Sequence, residues 1–449
     1  MSDFAGRRLH MMGIGGAGMS ALATVAYAWG ADVSGCDRAG SSYSERLTRF
    51  GIDVVEGHDP AHLVPGMEVV VSAAVPSDHE ELARARELEL PVLGRAELLA
   101  EMVAARRSVC VAGAHGKTTT TAMIAFAAQR MGLDPTYLIG GEVPQLGGNA
   151  GPGGGELLVA EGDESDGSLA LLRPEVAVIT NIELDHHARF GSEEELHELF
   201  AGWAAAVPAA GAVLLGDGVD LPFTVAPSSR FGFSPGADWH ISGLELSGPR
   251  IGFWLATPES TPIHVTLRVP GAHNAQNAAA AIATLHHVGA DTADAAVALA
   301  EFRGAGRRFE RRGERRGFAV VDDYAHHPTE LEAAIATART QHPRRVVVCF
   351  QPHLYSRTQA LAGRFGDVLA QADEAVVTEI YAAREQPLPG VTAKLVVDAA
   401  SERRPGMPLA YSRSLEEAAD YLRGRLREGD LVLTVGAGDV RRVGDLLLA

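Results

Sequence analysis

The stretch "GAHGKTTTT" (113–121) supplies a glycine-framed loop, one lysine and a run of hydroxyls, the set that cradles nucleotide phosphates. It is not a strict P-loop, because Val111 stands where the first glycine would fall and the loop shortens to Gly113, Ala114, His115 and Gly116. The chemistry is intact: backbone amides surround the phosphates, Lys117 meets the β/γ charge, Thr118 reaches a magnesium ion, and Thr119 follows. Lys117 and Lys394 are the only lysines among 39 basic residues. Where arginine serves elsewhere, Lys117 is kept for its compact charge.

Three further stretches carry ligand chemistry. "AEGDESDGS" sets Glu161, Asp163, Glu164 and Asp166 at an expected strand end, where a magnesium ligand is needed; a solvated acidic turn is the plainer alternative. "TNIELDHH" adds Asp185, His186 and His187 at the next strand end, as ligands or as structural residues. "HNAQNAAAA" offers His273, Asn274 and Asn277, the asparagines spaced to share one helix face; helical filler is the competing view.

A second phosphate loop lies near the start. In "GIGGAGMS", Gly13, Gly15 and Gly18 fit G-x-G-x-x-G after an apolar run, and Asp37 follows at the distance of a ribose-binding acid. Alone, this is a dinucleotide signal. The geometry, however, requires only a pyrophosphate at backbone amides and a helix N-terminus, and UDP carries one too.

These loops need strands and helices to hold them. "RRLHMMGI", "ADVSGCD", "IDVVEGH" and "MEVVVSAAV" read as strands of a doubly wound parallel sheet. A charged helical stretch, 79–107, leads to "SVCVAGAHGKTTTTAMIAFAAQRMG", which is strand, loop and helix. Short strands with turns are expected from Ser228 to about Pro270, then a helix, an arginine-rich connector, and a third α/β unit from "FAVVDDYAHHP". The expectation is an α/β chain of three domains with boundaries near Arg106 and Arg307. Residues 1–106 form a Rossmann-like unit, 107–306 a P-loop ATPase-like mixed sheet, and 307–449 a second Rossmann-like unit.

Composition is that of a soluble globular protein, 46% hydrophobic and 21% charged. The net charge of -18 argues against nucleic acid or an anionic membrane as partner. Cys36, Cys110 and Cys349 are far apart, odd in number and form no CxxC pair, which fits a reducing cytoplasm, no structural metal site and buried apolar roles. The uncharged run Leu9–Ala31 after paired arginines raises an export signal or membrane span, but four early glycines and the following strand pattern favour a βαβ unit.

The ordered set "GIGGAGMS", "GAHGKTTTT", "EGDESD", "TNIELDHH", "HNAQNAAAA", "GAGRRFE", "VDDYAHHPTE", "FQPHLYSRTQ" and "YAAREQP" closely resembles the Mur ligase family, over essentially the whole chain. The resemblance implies a cytoplasmic, ATP- and Mg2+-dependent ligation of L-alanine to the lactyl carboxylate of UDP-N-acetylmuramate, in cell-wall precursor synthesis, by a monomer or homodimer. It implies that Gly13, Gly15, Gly16, Ala17, Gly18, Asp37 and Ser72 hold the UDP-sugar. ATP would meet Gly113 to Thr119, Asn274, Asn277, Arg308 and Asp322, with Thr118 and Glu161 at one magnesium and His186 at a second. Catalysis would rest on Lys117, His186, His326, His353 and Arg357, the last three on a domain that closes over the amino acid and phosphates.

Two departures stand out: Leu354 where many relatives have arginine, and Ala73 where serine is common. Several sister ligases hold a second magnesium with a carbamylated lysine, yet no lysine occurs between His186 and Gly211. Arg189 stays protonated and cannot substitute. The expected second set is therefore His186, phosphate oxygens and water, with Glu193 or Glu194 nearby. Within the family, "DESD" argues against the tripeptide-recycling ligase, whose motif typically reads D-E-Y-D. Outside it, a nicotinamide oxidoreductase leaves Lys117 and the acidic strand ends idle, and a nucleotide switch would need no amino acid.

Overall fold

The computed structural model describes residues 4–165, 167–185, 190–222, 224–258, 260–383 and 385–449. Three sheets follow one another along the chain. The first comprises β1 (Arg8–Met12), β2 (Asp32–Asp37), β3 (Asp53–Glu56), β4 (Glu68–Val71) and β5 (Val92–Gly94), all parallel, in the order β3-β2-β1-β4-β5. The strand order reverses beside β1, so the glycine loop after β1 sits at the switch point where doubly wound sheets bind ligands. The uncharged run Leu9–Ala31 divides into β1 and the buried helix Ala17–Ala28. Among the described residues no helix is long and apolar enough to cross a membrane.

The charged stretch 79–107 is not one helical run. It forms helices Glu80–Glu87 and Arg95–Ala104 with β5 between them. Glu89 adopts a positive φ of 52° and Pro91 follows, which stops the first helix. Val92 and Leu93 then pair beside Val69 and Val70 to finish the sheet. Three residues are too few for a period to register in sequence.

The central sheet contains β6 (Arg107–Ala112), β7 (Thr136–Val143), β8 (Gly148–Gly151), β9 (Leu157–Glu161), β10 (Val176–Ile179), β11 (Ala212–Gly216), β12 (Ser228–Gly232), β13 (Trp239–Ser247), β14 (Arg250–Thr257) and β15 (Ser260–Leu267). Its order is β15-β14-β13-β12-β11-β10-β6-β9-β7-β8, a parallel middle with antiparallel flanks at both ends. Two helices, Lys117–Arg130 and Ala272–His287, are buried along nearly their whole length. The alanines at 278–281 lower the steric limit on helix approach, and large side chains such as Phe253 and Phe302 fill the remaining core. Each such fully buried side chain contributes about 1.5–3 kcal/mol.

The third sheet comprises β16 (Glu310–Arg315), β17 (Phe318–Asp323), β18 (Arg345–Phe350), β19 (Glu374–Thr378), β20 (Leu409–Ser412) and β21 (Asp430–Val435), in the order β16-β17-β21-β18-β19-β20. Only the β16–β17 pair is antiparallel. β16 is the second half of the arginine-rich connector; an edge strand without an apolar face leaves no period to read. Cys36, Cys110 and Cys349 are buried free thiols on β2, β6 and β18; Cys110 and Cys349 sit in apolar clusters as expected, whereas Cys36 contacts His58 and Glu81.

Candidate functional site

β6 is an uninterrupted buried run, as a strand covered on both faces must be, and its end delivers the loop Gly113–Gly116. Gly113 has a φ of 131°, and a Cβ there would lie 2.3 Å from Thr180 Oγ1. At Gly116 the φ is 82° and a Cβ would lie 2.7 Å from Asn277 Oδ1. Both positions need glycine for conformation and for space. The loop is strapped from the end of β10: His115 N–H donates to Asn181 Oδ1 at 2.9 Å, and the His115 carbonyl accepts from Thr180 Oγ1 at 2.6 Å.

Lys117 Nζ donates to the Gly113 carbonyl at 2.5 Å and to Glu164 Oε1 at 2.9 Å. Burial opposes its charge, but Glu164, Glu161 and Asp163 outweigh burial and hold the ammonium protonated. Thr118 Oγ1 lies 3.1 and 3.0 Å from the two Glu161 oxygens, and Gly140 N–H donates to Glu161 at 2.8 Å. Burial pushes the Glu161 carboxyl upward, so this acid gains from a nearby cation. The oxygen donors of Thr118 and Glu161 suit a hard divalent ion such as Mg2+.

Beside this loop a cavity of about 410 Å³ opens between the central and third sheets. His115, Gly116, Thr119, Asn274, Asn277 and Arg308 line it together, which unites six of the expected nucleotide residues. Asn277 Nδ2 donates to Asn274 Oδ1 at 3.0 Å and Asn277 Oδ1 accepts from Thr120 at 3.2 Å, so the asparagines do share one helix face. Half-buried His273 lines the same wall, and desolvation holds it neutral, down at about 4.

Asp322 departs from expectation. It is buried in the third sheet, bonded to Arg307 Nε at 2.9 Å and Thr434 Oγ1 at 2.8 Å, and does not line the cavity. Its neighbour Asp323 does, because successive strand residues face opposite sides. Burial raises Asp323 to about 6.

The loop also reaches the third sheet through its histidine. His115 Nε2 meets Glu183 at 2.9 Å and its Nδ1 lies 3.1 Å from Glu330. Burial opposes the imidazolium, but the two carboxylates prevail and lift His115 to about 9. Glu183 also bonds Thr329 Oγ1 and, at 3.0 Å, Arg364; these partners overcome its burial and lower it to about 2. Deeper in, Arg357 forms a two-pronged pair with Asp185, Nε to Oδ1 at 2.8 Å and Nη2 to Oδ2 at 2.9 Å, both residues buried. Arg357 Nη1 donates to His353 Nδ1 at 3.0 Å, and the His326 and His353 rings lie 5.9 Å apart. The three expected closing residues are thus one group, set against the strand end of the central sheet.

Glu183, Glu330, Asp323 and Arg307 were not expected. Glu183 and Glu330 lie inside "TNIELDHH" and "VDDYAHHPTE", so the motifs were visible, but their meeting across two sheets was not. His186, His187, Arg189 and Asp166 lie outside the described residues. Glu193 and Glu194 occupy the exposed first turn of the helix Glu193–Ala205. Lys394 opens the helix Lys394–Arg403 far from the loop in sequence, its Nζ 5.4 Å from the Tyr411 ring.

The first glycine loop has its own frame. Gly13 turns with a φ of 78° and faces Ser72, where a Cβ would come within 3.0 Å of the serine Cβ. Gly15 N–H donates to Asp37 Oδ2 at 2.9 Å and the Gly15 carbonyl accepts from Ser41 Oγ at 2.9 Å. Gly16 precedes the helix at Ala17 without a side-chain cap, leaving the helix N-terminus to offer amides and positive dipole. Gly18 packs on Arg95, where a Cβ would lie 3.2 Å from Nη1. Asn149 of the central sheet donates to the Ala17 carbonyl at 3.0 Å, tying the two domains at this point.

Three family models match in sequence: the Mur ligase family catalytic domain over 8–107, the Mur ligase middle domain over 111–285 and the Mur ligase glutamate ligase domain over 307–438. The chain is 44% identical to the UDP-N-acetylmuramate--L-alanine ligase of Acidothermus cellulolyticus, over 98% of this chain and 94% of that one. It is 43% identical to the protein of the same name from Halorhodospira halophila, over 97% and 91%. Among solved structures, UDP-N-acetylmuramate-alanine ligase MurC from Thermotoga maritima superposes with a TM-score of 0.83 at 29% identity, covering 98% of each chain. A murein peptide ligase from Psychrobacter arcticus shares the fold, with a TM-score of 0.71 at 23% identity over 99% of this chain and 98% of that one. With its three phosphate-side elements meeting across one cavity and these relatives spanning its length, the chain belongs to the Mur ligase family.

Proposed function

We propose that this chain joins L-alanine to the lactyl carboxylate of UDP-N-acetylmuramate at the expense of ATP, in cytoplasmic cell-wall precursor synthesis. The observation that carries this reading is the cavity shared by the lysine-bearing loop, the asparagine helix and the third sheet through Arg308, Asp323 and Glu330. The working units are residues 1–106 for the UDP-sugar, 107–306 for ATP and 307–449 for closure.

The lactyl carboxylate attacks the γ-phosphate of ATP, giving an acyl phosphate and ADP. The alanine amine attacks the acyl carbon, inorganic phosphate leaves, and the amide remains. Lys117 spreads charge that develops on the transferring phosphoryl oxygens, and positioning supplies most of the remaining acceleration. Thr118 and Glu161 would hold Mg2+, which supplies further charge neutralisation when bound. Arg308 and the Asn274–Asn277 pair line the ATP cavity. Arg357, His353 and His326 seal the approach from the third domain, because an acyl phosphate is lost to water in an open site. Gly13 to Gly18, Asp37 and Ser72 frame the sugar nucleotide.

ADP release measured with ATP, UDP-N-acetylmuramate and each amino acid in turn tests this reading. The expected result is turnover that requires both the sugar nucleotide and L-alanine. Turnover with the tripeptide but not with alanine would assign the chain to the recycling reaction, and NADH binding without ADP release would return the first loop to a dinucleotide.

A further inference from the structure

We propose that the first domain carries a zinc site, held by His10, Cys36, His62 and Glu81 on the side of β2 opposite the sugar-nucleotide role. One donor atom from each of these four residues lies within 4.8 Å of every other. The closest pairs are Glu81 Oε1 to His62 Nδ1 at 3.0 Å and Cys36 Sγ to the two Glu81 oxygens at 3.4 and 3.3 Å. Metal–ligand bonds of about 2.0–2.3 Å in a tetrahedron put donor atoms about 3.3–3.6 Å apart, so small side-chain shifts complete the shell. Thiolate, imidazole and carboxylate together suit zinc rather than magnesium.

A second observation points the same way. His10 is buried, its Nδ1 is 3.0 Å from Ser34 Oγ, and its Nε2 has no hydrogen-bond partner. A buried ring nitrogen without a partner, on a residue of this cluster, is a group that a bound ion would satisfy. Glu81 is fully buried on the first turn of the helix Glu80–Glu87 and bonds Cys36, which belongs to the apolar cluster of Met12, Leu63, Val69 and Leu82. A carboxylate in such surroundings is costly without cationic partners.

Further groups orient the ligands. His58 Nδ1 sits 3.0 Å from Glu81 Oε2 and 3.2 Å from Cys36 Sγ, and Asp59 N–H donates to Glu81 Oε1 at 3.1 Å. The His58 and His62 side chains are each 20% exposed, so an ion reaches the buried carboxylate from solvent. On binding, the Cys36 thiol releases its proton to water and the thiolate ligates. The ion would tie β1, β2, the turn after β3 and the helix after β4 together directly behind the glycine loop. The Cys36 carbonyl accepts from Gly13 N–H at 2.8 Å and Ile14 N–H at 3.2 Å, and Asp37, next in chain, holds Gly15. The site therefore braces that loop.

The test uses the full chain stripped with a chelator, then titrated with Zn2+ against a chromophoric competitor and separately with Co2+. Expected are tight zinc binding, visible bands of tetrahedral cobalt, and a near-ultraviolet thiolate-to-cobalt band. Among the described residues, the two other candidate clusters, one of His58, His79 and Glu81 and one of His115, Glu183 and His327, contain no thiol and give no such band. Cys36→Ser removes the thiolate band and weakens zinc by at least about 100-fold, more than the roughly 10–100-fold that an outer partner such as His58 is worth. His62→Ala loses the tetrahedral bands as well. Thermal unfolding of the unmutated chain shifts upward with Zn2+ relative to chelator, a readout that needs no variant to fold. Absence of the thiolate band in the folded unmutated chain, or unchanged zinc affinity in folded Cys36→Ser, overturns the proposal. None of these measurements depends on ligase turnover, so this inference and the functional proposal fail separately.

Discussion

Gly13–Gly18 and Gly113–Gly116 each follow a buried parallel strand and precede a helix with no side-chain cap, yet their surroundings differ in kind. The first loop is braced chiefly from its own sheet, by Asp37 and Ser41, and carries no lysine. The second is strapped by Thr180, Asn181 and Glu164 of the central domain and joined through His115 to Glu330 of the third. One strand–loop–helix design therefore yields two chemistries. On the proposed function, amides and a helix dipole alone would serve a pyrophosphate, whereas a lysine among buried carboxylates would serve a transferring phosphoryl group.

The sharpest way to break that contrast is Lys117→Met. It removes the only loop ammonium, and turnover is expected to fall by about 10³-fold or more, since one preorganised charge or donor is worth at least that order in such sites. The variant also removes the Lys117 ion pair of buried Glu164, so circular dichroism must first establish that it folds. Near-normal product formation by folded protein would return the second loop to a merely structural role.

Next comes Arg357→Ala, which leaves Asp185 buried without its two-pronged partner, at a cost of about 3–5 kcal/mol to the docked third domain. Turnover is expected to drop roughly 100-fold while the KM for UDP-N-acetylmuramate stays put, on the argument that misplaced closing groups cost about that much. Arg357→Lys is expected not to restore it, because an ammonium cannot make both bonds. A change confined to the sugar KM would move this residue to the first site.

Asp37→Ala addresses the first loop alone. The loss of one buried-side hydrogen bond to Gly15 should raise the KM for UDP-N-acetylmuramate about tenfold, near 1.4 kcal/mol, and leave that for ATP unchanged. A rise for ATP instead would assign adenine to the N-terminal loop.

The His115 link adds a pH dependence that the first loop lacks. Its folded value of about 9 exceeds the ordinary 6.5, so its contribution is fully present below about pH 6.5 and is lost as pH rises through about 9. Thermal unfolding should therefore shift downward between pH 7 and 9.5, and His115→Asn should flatten that slope. An equal slope in the variant would remove the histidine from the docking contact.

The smallest expected effect is that of the other lysine. Lys394→Arg should be nearly silent, and turnover should not respond to bicarbonate in degassed buffer at fixed pH. A bicarbonate-dependent rate abolished by Lys394→Arg would show a carbamate where none is expected.

Much of this was legible before any coordinates. The strands β1 to β4, both glycine loops, Lys117 with Thr118, and the Asn274–Asn277 face follow from spacing along single elements, where period and turn chemistry act within a few residues. Short or charged edge strands such as β5 and β16 carry no such period and escaped. That Asp323 and not Asp322 lines the cavity was not legible, because two adjacent acids differ only in which face of β17 they take, and sheet packing sets that face.

The amino-acid order by itself thus determined the local machinery: where a loop turns, which residue can take a positive φ, and which loop carries an ammonium. Tertiary structure alone decided which distant groups become partners. Arg357 and Asp185 are 172 residues apart, Cys36 and Glu81 are 45 apart, and His115 meets Glu183 on one side and Glu330 on the other. Such pairs depend on strand order and on the docking of one sheet against another, and those are set by burial summed over whole domains, which no short stretch of sequence contains.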